Sequence, residues 1–188
     1  MALPKIDTPS YQLELPSNQQ VVKYRPFLVR EQKILMMAQE AENKEDTYNM
    51  LSDIVGGCTF NSVDIKTMPI FDFEYLFLKI RCKSVGETVE LSILCPDDEE
   101  TRVPVTINLD VIDVQVEDDH NNVIGVNDSI KIIMRHPTVG DIKSVDEAET
   151  LNNIMKLLKV CIHEIHDGDT IHSMIDITST ELDEFVDS

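Results

Sequence analysis

Ile130-Lys131-Ile132-Ile133-Met134-Arg135-His136-Pro137-Thr138-Val139-Gly140-Asp141-Ile142 reads as a strand that runs into a helix. Ile130 to Met134 is dense in isoleucine, whose branched side chain fits a pleated surface better than a helical one. Pro137 ends the ladder, because it has no N–H to donate and pushes His136 toward an extended backbone. Thr138 is then a helix N-cap whose hydroxyl is expected to accept from N–H groups two or three residues on. Asp141 adds negative charge in the first turn, where the helix dipole favours it. None of this chemistry is catalytic.

Working outward from that segment, the same alternation of short strands and helices fills the chain. Tyr11, Leu13 and Leu15 alternate with polar residues and, after Pro16-Ser17-Asn18, Val21 to Tyr24 returns as a second strand, which predicts an N-terminal β-hairpin. Val29 to Ala41 carries apolar residues at Ile34, Leu35, Ala38 and Ala41 and predicts an amphipathic helix. Asn43 to Asp46 interrupts it. Thr47 to Val55 resumes the helical pattern until Gly56-Gly57, a helix stop, and the two helices are expected to pair. Pro69 to Arg81 is densely apolar, and its length favours a helix over a strand. Thr88 to Cys95 and Arg102 to Leu109, joined by the acidic Pro96-Asp97-Asp98-Glu99-Glu100, predict a long central hairpin, with residues 85–118 as a protruding sub-region.

Asp110 to Val116 reads as extended and Glu117 to Asn122 as a polar connection. Ala148 to Ile165, with Leu151, Ile154, Leu157, Leu158, Cys161 and Ile162 at helical spacing, predicts a second amphipathic helix. Thr178 with Glu181 three residues on resembles a capping box, predicting a terminal helical turn through Val186. The expected class is α+β: an N-terminal β-hairpin, amphipathic helices, a central long β-hairpin and a C-terminal strand-helix unit, in a single domain over residues 1–188. No internal repeat is evident.

The composition is globular, with 42% hydrophobic and 27% charged residues, and 188 residues suffice for a core without metal or disulfide. The outlier is charge: 35 Asp and Glu against 16 Lys and Arg, formally −19, which repels phosphate backbones and anionic lipid and argues against nucleic-acid or membrane partners. Such acidity serves solubility or docking on a basic partner. Cys58, Cys82, Cys95 and Cys161 lack close C-x-x-C spacing and read as reduced and mostly buried. Met1 to Lys5 has no long apolar core, so synthesis as a soluble intracellular chain is expected.

One cluster invites an enzymatic reading, His163-Glu164-Ile165-His166 with His172 further on, as a metal-dependent hydrolase site. A metalloprotease helix needs His-Glu-x-x-His, because residues four apart project from one face to a shared zinc. The spacing here is three, and Gly168 reads as the helix end. Cys161 and His163, two apart on a helix, sit about 200° around the axis and form no nucleophile pair. The acidic loop lacks the ligand pattern of an EF-hand, and no phosphate-binding glycine loop or G-x-S-x-G elbow occurs. No catalytic residue, cofactor or metal is expected.

Lys23-Tyr24-Arg25-Pro26-Phe27-Leu28-Val29 leading into Glu31-Gln32-Lys33-Ile34-Leu35, the Leu3-Pro4-Lys5 to Pro9 entry, and Arg81-Cys82-Lys83-Ser84-Val85-Gly86-Glu87 followed by the Cys95-Pro96 hairpin resemble the baseplate hub subunit family of T-even-type contractile-tailed bacteriophages. The opening segment is similar to the Arg-x-Pro-Thr-x-Gly-Asp pattern of small tail-assembly chaperones of other contractile phages. The first resemblance implies a non-enzymatic protein of baseplate hub assembly, with other tail or hub proteins as partners, in the host cytoplasm during assembly and in the virion tail baseplate if retained. The second implies a transient chaperone, with the tape-measure protein as partner. Tyr24, Pro26 and Phe27, where hairpin becomes helix, and Arg135, Pro137, Thr138 and Asp141, where strand becomes helix, are the candidate partner-binding residues.

Overall fold

In the computed structural model, which describes residues 7–41, 43–98, 100–116, 120–142 and 150–186, the chain divides into two compact units, Met1–Gln115 and Val116–Ser188. The Leu3 to Lys5 entry, Glu99, Glu117 to Asp119 and the expected helix start at Ala148 and Glu149 lie outside the described residues.

The first unit begins with the expected hairpin. Strand β1 (Tyr11–Glu14) is antiparallel to β2 (Val21–Tyr24), with Leu13 opposite Val22 and Tyr11 opposite Tyr24. Three helices follow: α1 (Val29–Gln39), α2 (Lys44–Cys58) and α3 (Ile70–Val85), with α2 packed on both of the others. Ile54 and Val55 of α2 and Leu76 and Ile80 of α3 are fully buried, joined by Val22 and Tyr24 from the hairpin. The dense apolar run is therefore a helix, and it goes one turn beyond Arg81, to Val85.

Two sequence expectations for α2 are corrected. Asn43 is its N-cap, its side-chain oxygen accepting the Asp46 N–H at 2.7 Å, so the polar run that reads as a break is the helix start. Gly56 and Gly57 lie inside the helix rather than ending it; the turn away comes at Phe60 and Asn61, whose φ values are 58° and 54°.

Polar side chains fasten the parts of this unit to α3. Asp72 in its first turn accepts the Ser17 N–H at 3.0 Å and the Ser17 hydroxyl, which holds the β1–β2 turn against the helix. Lys79 donates to the carbonyls of Asp110 and Ile112, fixing the chain where it leaves the next hairpin. That hairpin, β3 (Thr88–Leu94) with β4 (Arg102–Asn108), is a two-stranded sheet of its own. Its register sets Val89 opposite Ile107, Leu91 opposite Val105 and Ile93 opposite Val103, so six aliphatic side chains share one face of the ribbon.

The second unit is an antiparallel sheet in the order β5 (Val123–Gly125), β6 (Ile130–Met134), β7 (Ile162–Asp167), β8 (Thr170–Ser173), accompanied by α4 (Val139–Ile142), α5 (Thr150–Cys161) and α6 (Ser179–Val186). Ile162, Ile165 and Leu182 form its core, with Ile130, Ile132, Met134 and Phe185 packed around them. The start of α6 matches the capping-box reading, with the Thr178 N–H and hydroxyl donating to the Glu181 carboxylate at 2.9 and 2.7 Å.

The helix expected to reach Ile165 stops at Cys161. Ile162 to Asp167 is instead the inner strand β7, whose β-branched Ile162 and Ile165 are buried in the core with Leu182 of α6. Gly168, with φ of 57°, opens the two-residue Gly168-Asp169 connection to β8; the glycine that reads as a helix end is a hairpin turn. A Cβ at Gly168 meets no atom within 4 Å, so Gly168→Ala tests backbone strain alone. It is expected to cost about 1–2 kcal/mol in urea unfolding, and Gly168→Asn less. An alanine variant as stable as the parent would contradict the turn.

Candidate functional site

The two candidate segments from the sequence share one geometry, built around an arginine at the end of a strand. In the first unit Arg25 follows β2. Its guanidinium grips Glu31, six residues on, with Nη2 donating to Oε1 at 2.9 Å and Nη1 to Oε2 at 3.3 Å, while Nη1 also donates to the carbonyl of Pro26 at 3.0 Å. Glu31 is at the third position of α1 and accepts the Leu28 N–H at 2.8 Å, which supplies the cap that Leu28's own side chain cannot. The Arg25 N–H donates to the carbonyl of Cys58, the last residue of α2, at 3.0 Å. One residue thus ties a strand end, a helix start and a second helix end.

In the second unit Arg135 follows β6 and repeats each contact. Nη1 and Nη2 donate to Asp141 Oδ2 and Oδ1 at 2.7 and 3.1 Å, again six residues on, and Nη1 donates to the carbonyl of His136 at 3.2 Å. Asp141 accepts the Thr138 N–H at 2.8 Å, and the Arg135 N–H donates to the carbonyl of Cys161, the last residue of α5, at 2.7 Å. The sequence shows no repeat by inspection, yet the structure contains the same clasp twice. The signal was short: Arg-x-x-x-Val-x-acid at Arg25, Val29 and Glu31, and at Arg135, Val139 and Asp141.

The expected role of Thr138 is corrected by this geometry. Its hydroxyl donates to Asp141 Oδ2 at 2.8 Å instead of accepting from the backbone, and the carboxylate does the capping. Of the other candidates, Tyr24 is buried, and Phe27 sets its ring 6.0 Å from that of Phe77 at a tilt of 42° while its N–H donates to Ser84 Oγ at 2.9 Å. Pro26 supplies a carbonyl to Arg25, and Pro137 is half-buried. Tyr24, Pro26 and Phe27 fall in one unit and Arg135, Pro137, Thr138 and Asp141 in the other. Sequence reading missed Glu31, whose signal is the arginine six residues before it, and Cys58 and Cys161, whose parts in the clasp depend on contacts far along the chain.

The electrostatics follow from burial and pairing. In the first clasp the two side chains are only 13% and 5% exposed; in the second, 35% and 14%. Burial pushes Glu31 up, but the Arg25 and Leu28 donors outweigh it and hold the carboxyl below its ordinary value. Asp141 is pulled from 3.8 to about 2, chiefly by Arg135, with Thr138 adding to it. Burial raises the thiols of Cys58, to about 11, and of Cys161, so neither is a ready nucleophile. A Cβ at Gly57 would come within 3.2 Å of Glu31 Oε1, which explains a glycine inside α2 at the point where the clasp lies against it.

A groove runs beside each clasp. The first, about 600 Å³, is lined by Arg25, Arg30 and Glu31 with Asp53, Gly56 and Gly57 of α2. The second, about 580 Å³, is lined by Arg135 with Lys156, Lys159 and Val160 of α5, and by Ile162 and His163. The histidines are not placed as the metal reading requires. His163 and His166 lie on strand β7, not on one helix face, His163 falls where the β6–β7 register shifts, and His166 pairs with Glu164 at 3.0 Å. Among the described residues no group of three or more His, Cys, Asp and Glu side chains could hold a metal ion.

A family model described as T4 bacteriophage base plate protein matches residues 8–188. No curated protein and no solved structure matches the chain.

The depressed carboxyl of Asp141 has a pH signature. A group whose folded pKa lies below its unfolded value stabilises the fold above the unfolded pKa and loses that contribution as pH falls through the folded one. Asp141 therefore contributes about 2 kcal/mol at neutral pH that fades between roughly pH 4 and 2. Asp141→Asn is expected to lower stability at pH 7 and to flatten the acid limb of a stability–pH curve. An unchanged limb would mean that the clasp is not formed in solution. Glu31→Ala, which strands the more deeply buried guanidinium, is expected to cost about 3–5 kcal/mol.

Proposed function

The chain belongs to the T4 bacteriophage base plate protein family, and on that premise we propose that it acts in assembly of the tail baseplate hub, as a hub subunit or assembly factor that binds other tail proteins without catalysing a reaction. The observation that carries this reading is the β3–β4 ribbon. Its aliphatic face is formed by Val89, Leu91 and Ile93 against Ile107, Val105 and Val103, and Leu91, Ile93 and Val103 are exposed. An isolated hairpin of this kind is marginal by itself, and exposed apolar patches mark contact surfaces. A tail protein seated on the face would bury it, and the unpaired strand edges offer backbone donors and acceptors to the same partner. The acidic connection at its tip favours a partner with a basic rim.

The clasps support this reading from the other side. They use the arginines and carboxylates of the strand–helix junctions for folding, whereas Leu91, Ile93 and Val103 of the ribbon stay exposed. The tape-measure chaperone differs from the hub subunit in timing: the same face would shield an apolar segment only until the tail is complete. The metal-dependent hydrolase built on His163, His166 and His172 loses its geometric basis with the helix it assumed.

Leu91→Thr together with Ile93→Thr is expected to leave stability within about 1 kcal/mol of the parent, since both side chains are exposed and threonine suits a strand. Capture of tail proteins from infected cells should fall at least about tenfold. Mass spectrometry of purified tails then separates the two roles, because a hub subunit is retained and a transient chaperone is not. Undiminished capture by the double variant would remove the ribbon from the interface.

A further inference from the structure

The two clasps allow the grooves beside them to be compared position by position, counting back from the cysteine that each arginine anchors. One residue before Cys58 and Cys161 stand Gly57 and Val160; two before, Gly56 and Lys159; five before, Asp53 and Lys156. The scaffold is shared and the groove chemistry is not. Where the first groove has a flat glycine floor and an acid, the second has two lysines. Of the cations between residues 116 and 188, namely Lys131, Arg135, Lys143, Lys156 and Lys159, three line this groove, in a chain whose net charge is −19.

Two of those three are engaged by the fold, Arg135 with Asp141 and Lys159 with Asp183 at 2.6 Å. Lys156 and His163 stand exposed at the rim, His163 with Glu164 3.8 Å away, while Ile162 and Leu182 are buried at the base, with Met174 and Ile177 beside them. Among the described lining residues Asp183 is the only acid. The groove therefore presents cations around an apolar base and fits a short segment that carries carboxylates next to an aliphatic side chain.

Such a segment is present in this chain. At the tip of the β3–β4 ribbon Asp98 accepts the Thr101 N–H at 2.9 Å and the Thr101 hydroxyl, which shapes the turn and holds the Asp98 carboxyl below its ordinary range. Asp97 and Glu100 are exposed beside it, with Ile93 and Leu94 exposed at the adjoining strand end. We infer that the groove lined by Arg135, Lys156, Lys159 and His163 receives the ribbon tip of a second copy of the chain through Asp97, Asp98 and Glu100. The contact joins two different surfaces, so it closes into a ring, of which the reciprocal pair is the smallest, or propagates into an open filament. Net repulsion between acidic copies does not forbid it: charges are screened over about 8 Å at physiological ionic strength, and the facing groups are of opposite sign. This inference uses the tip and the groove, not the aliphatic ribbon face, and stands independently of the hub reading.

The test is charge exchange followed by sedimentation equilibrium of the full chain. The parent is expected to form concentration-dependent species that weaken with added salt. Lys156→Glu with His163→Glu, and separately Asp97→Lys with Glu100→Lys, should each weaken association at least about tenfold while leaving the circular dichroism spectrum unchanged. Neither pair touches the clasp or the Asp98 turn. An equimolar mixture of the two variants should recover association, because the lysine tip then meets the glutamate groove. A parent that stays monomeric, including one whose groove captures a different tail protein, overturns the inference. So does association that ignores both variants, or a mixture that recovers nothing.

Discussion

An arginine–carboxylate clasp at the junction of strand and helix, buried in the first unit and half-buried in the second, is the constraint around which each unit of this protein is arranged. The guanidinium is planar and offers its donors in a fixed fork, so it can grip both oxygens of one carboxylate and still reach a neighbouring carbonyl. Arg25 and Arg135 each do this, and each also gives its backbone N–H to the last carbonyl of a distant helix. The carboxylate is not idle either, since it caps the helix start through the N–H three residues before it. Lysine could supply the charge but not the fork, and a neutral residue on either side would strand a charge with few solvent contacts.

Because those contacts close within each unit, most of the acidity of the chain is left over. Glu31, Asp72, Asp98, Asp141 and Glu181 have defined structural tasks at helix starts or turns. Much of the remaining excess lies on the surface, where charge governs encounter and solubility rather than fold. The contrast between the grooves makes the same point locally. Having Lys156 and Lys159 where the first groove has Asp53 and Gly56 leaves the clasp geometry intact while making the second groove the more cationic. The ribbon adds an aliphatic face that its own unit does not cover. Family membership gives these features a setting, the phage baseplate, in which a protein is defined by what it docks against.

Local pattern and tertiary context contributed unequally to what could be read in advance. The hairpin of Tyr11 to Tyr24, the ribbon of Thr88 to Asn108, the strand Ile130 to Met134 and the capped turn at Thr178 were legible because alternation and capping are properties of a few adjacent residues. Asp-Gly-Asp at Asp167 to Asp169 was an equally local hairpin signal, but the helical spacing upstream outweighed it, and the strand at Ile162 went unread. The glycine pair in α2 was misread for a related reason. Gly57 faces Glu31, more than twenty residues away, and Gly56 faces Asn61 beyond the helix end.

The sequence by itself determined the α+β class, the order of most elements, the acidity and the absence of a recognisable catalytic motif, since each follows from composition or short-range periodicity. Only the tertiary structure decided that Arg25 and Arg135 do the same work. Six residues separate each arginine from its acid, but 33 and 26 separate it from its cysteine, and no local pattern records a hydrogen bond made across that distance. Tyr24 to Phe27 and Arg135 to Asp141 stand where a strand gives way to a helix. What they hold together became visible once the strand end and the far helix end were in one place.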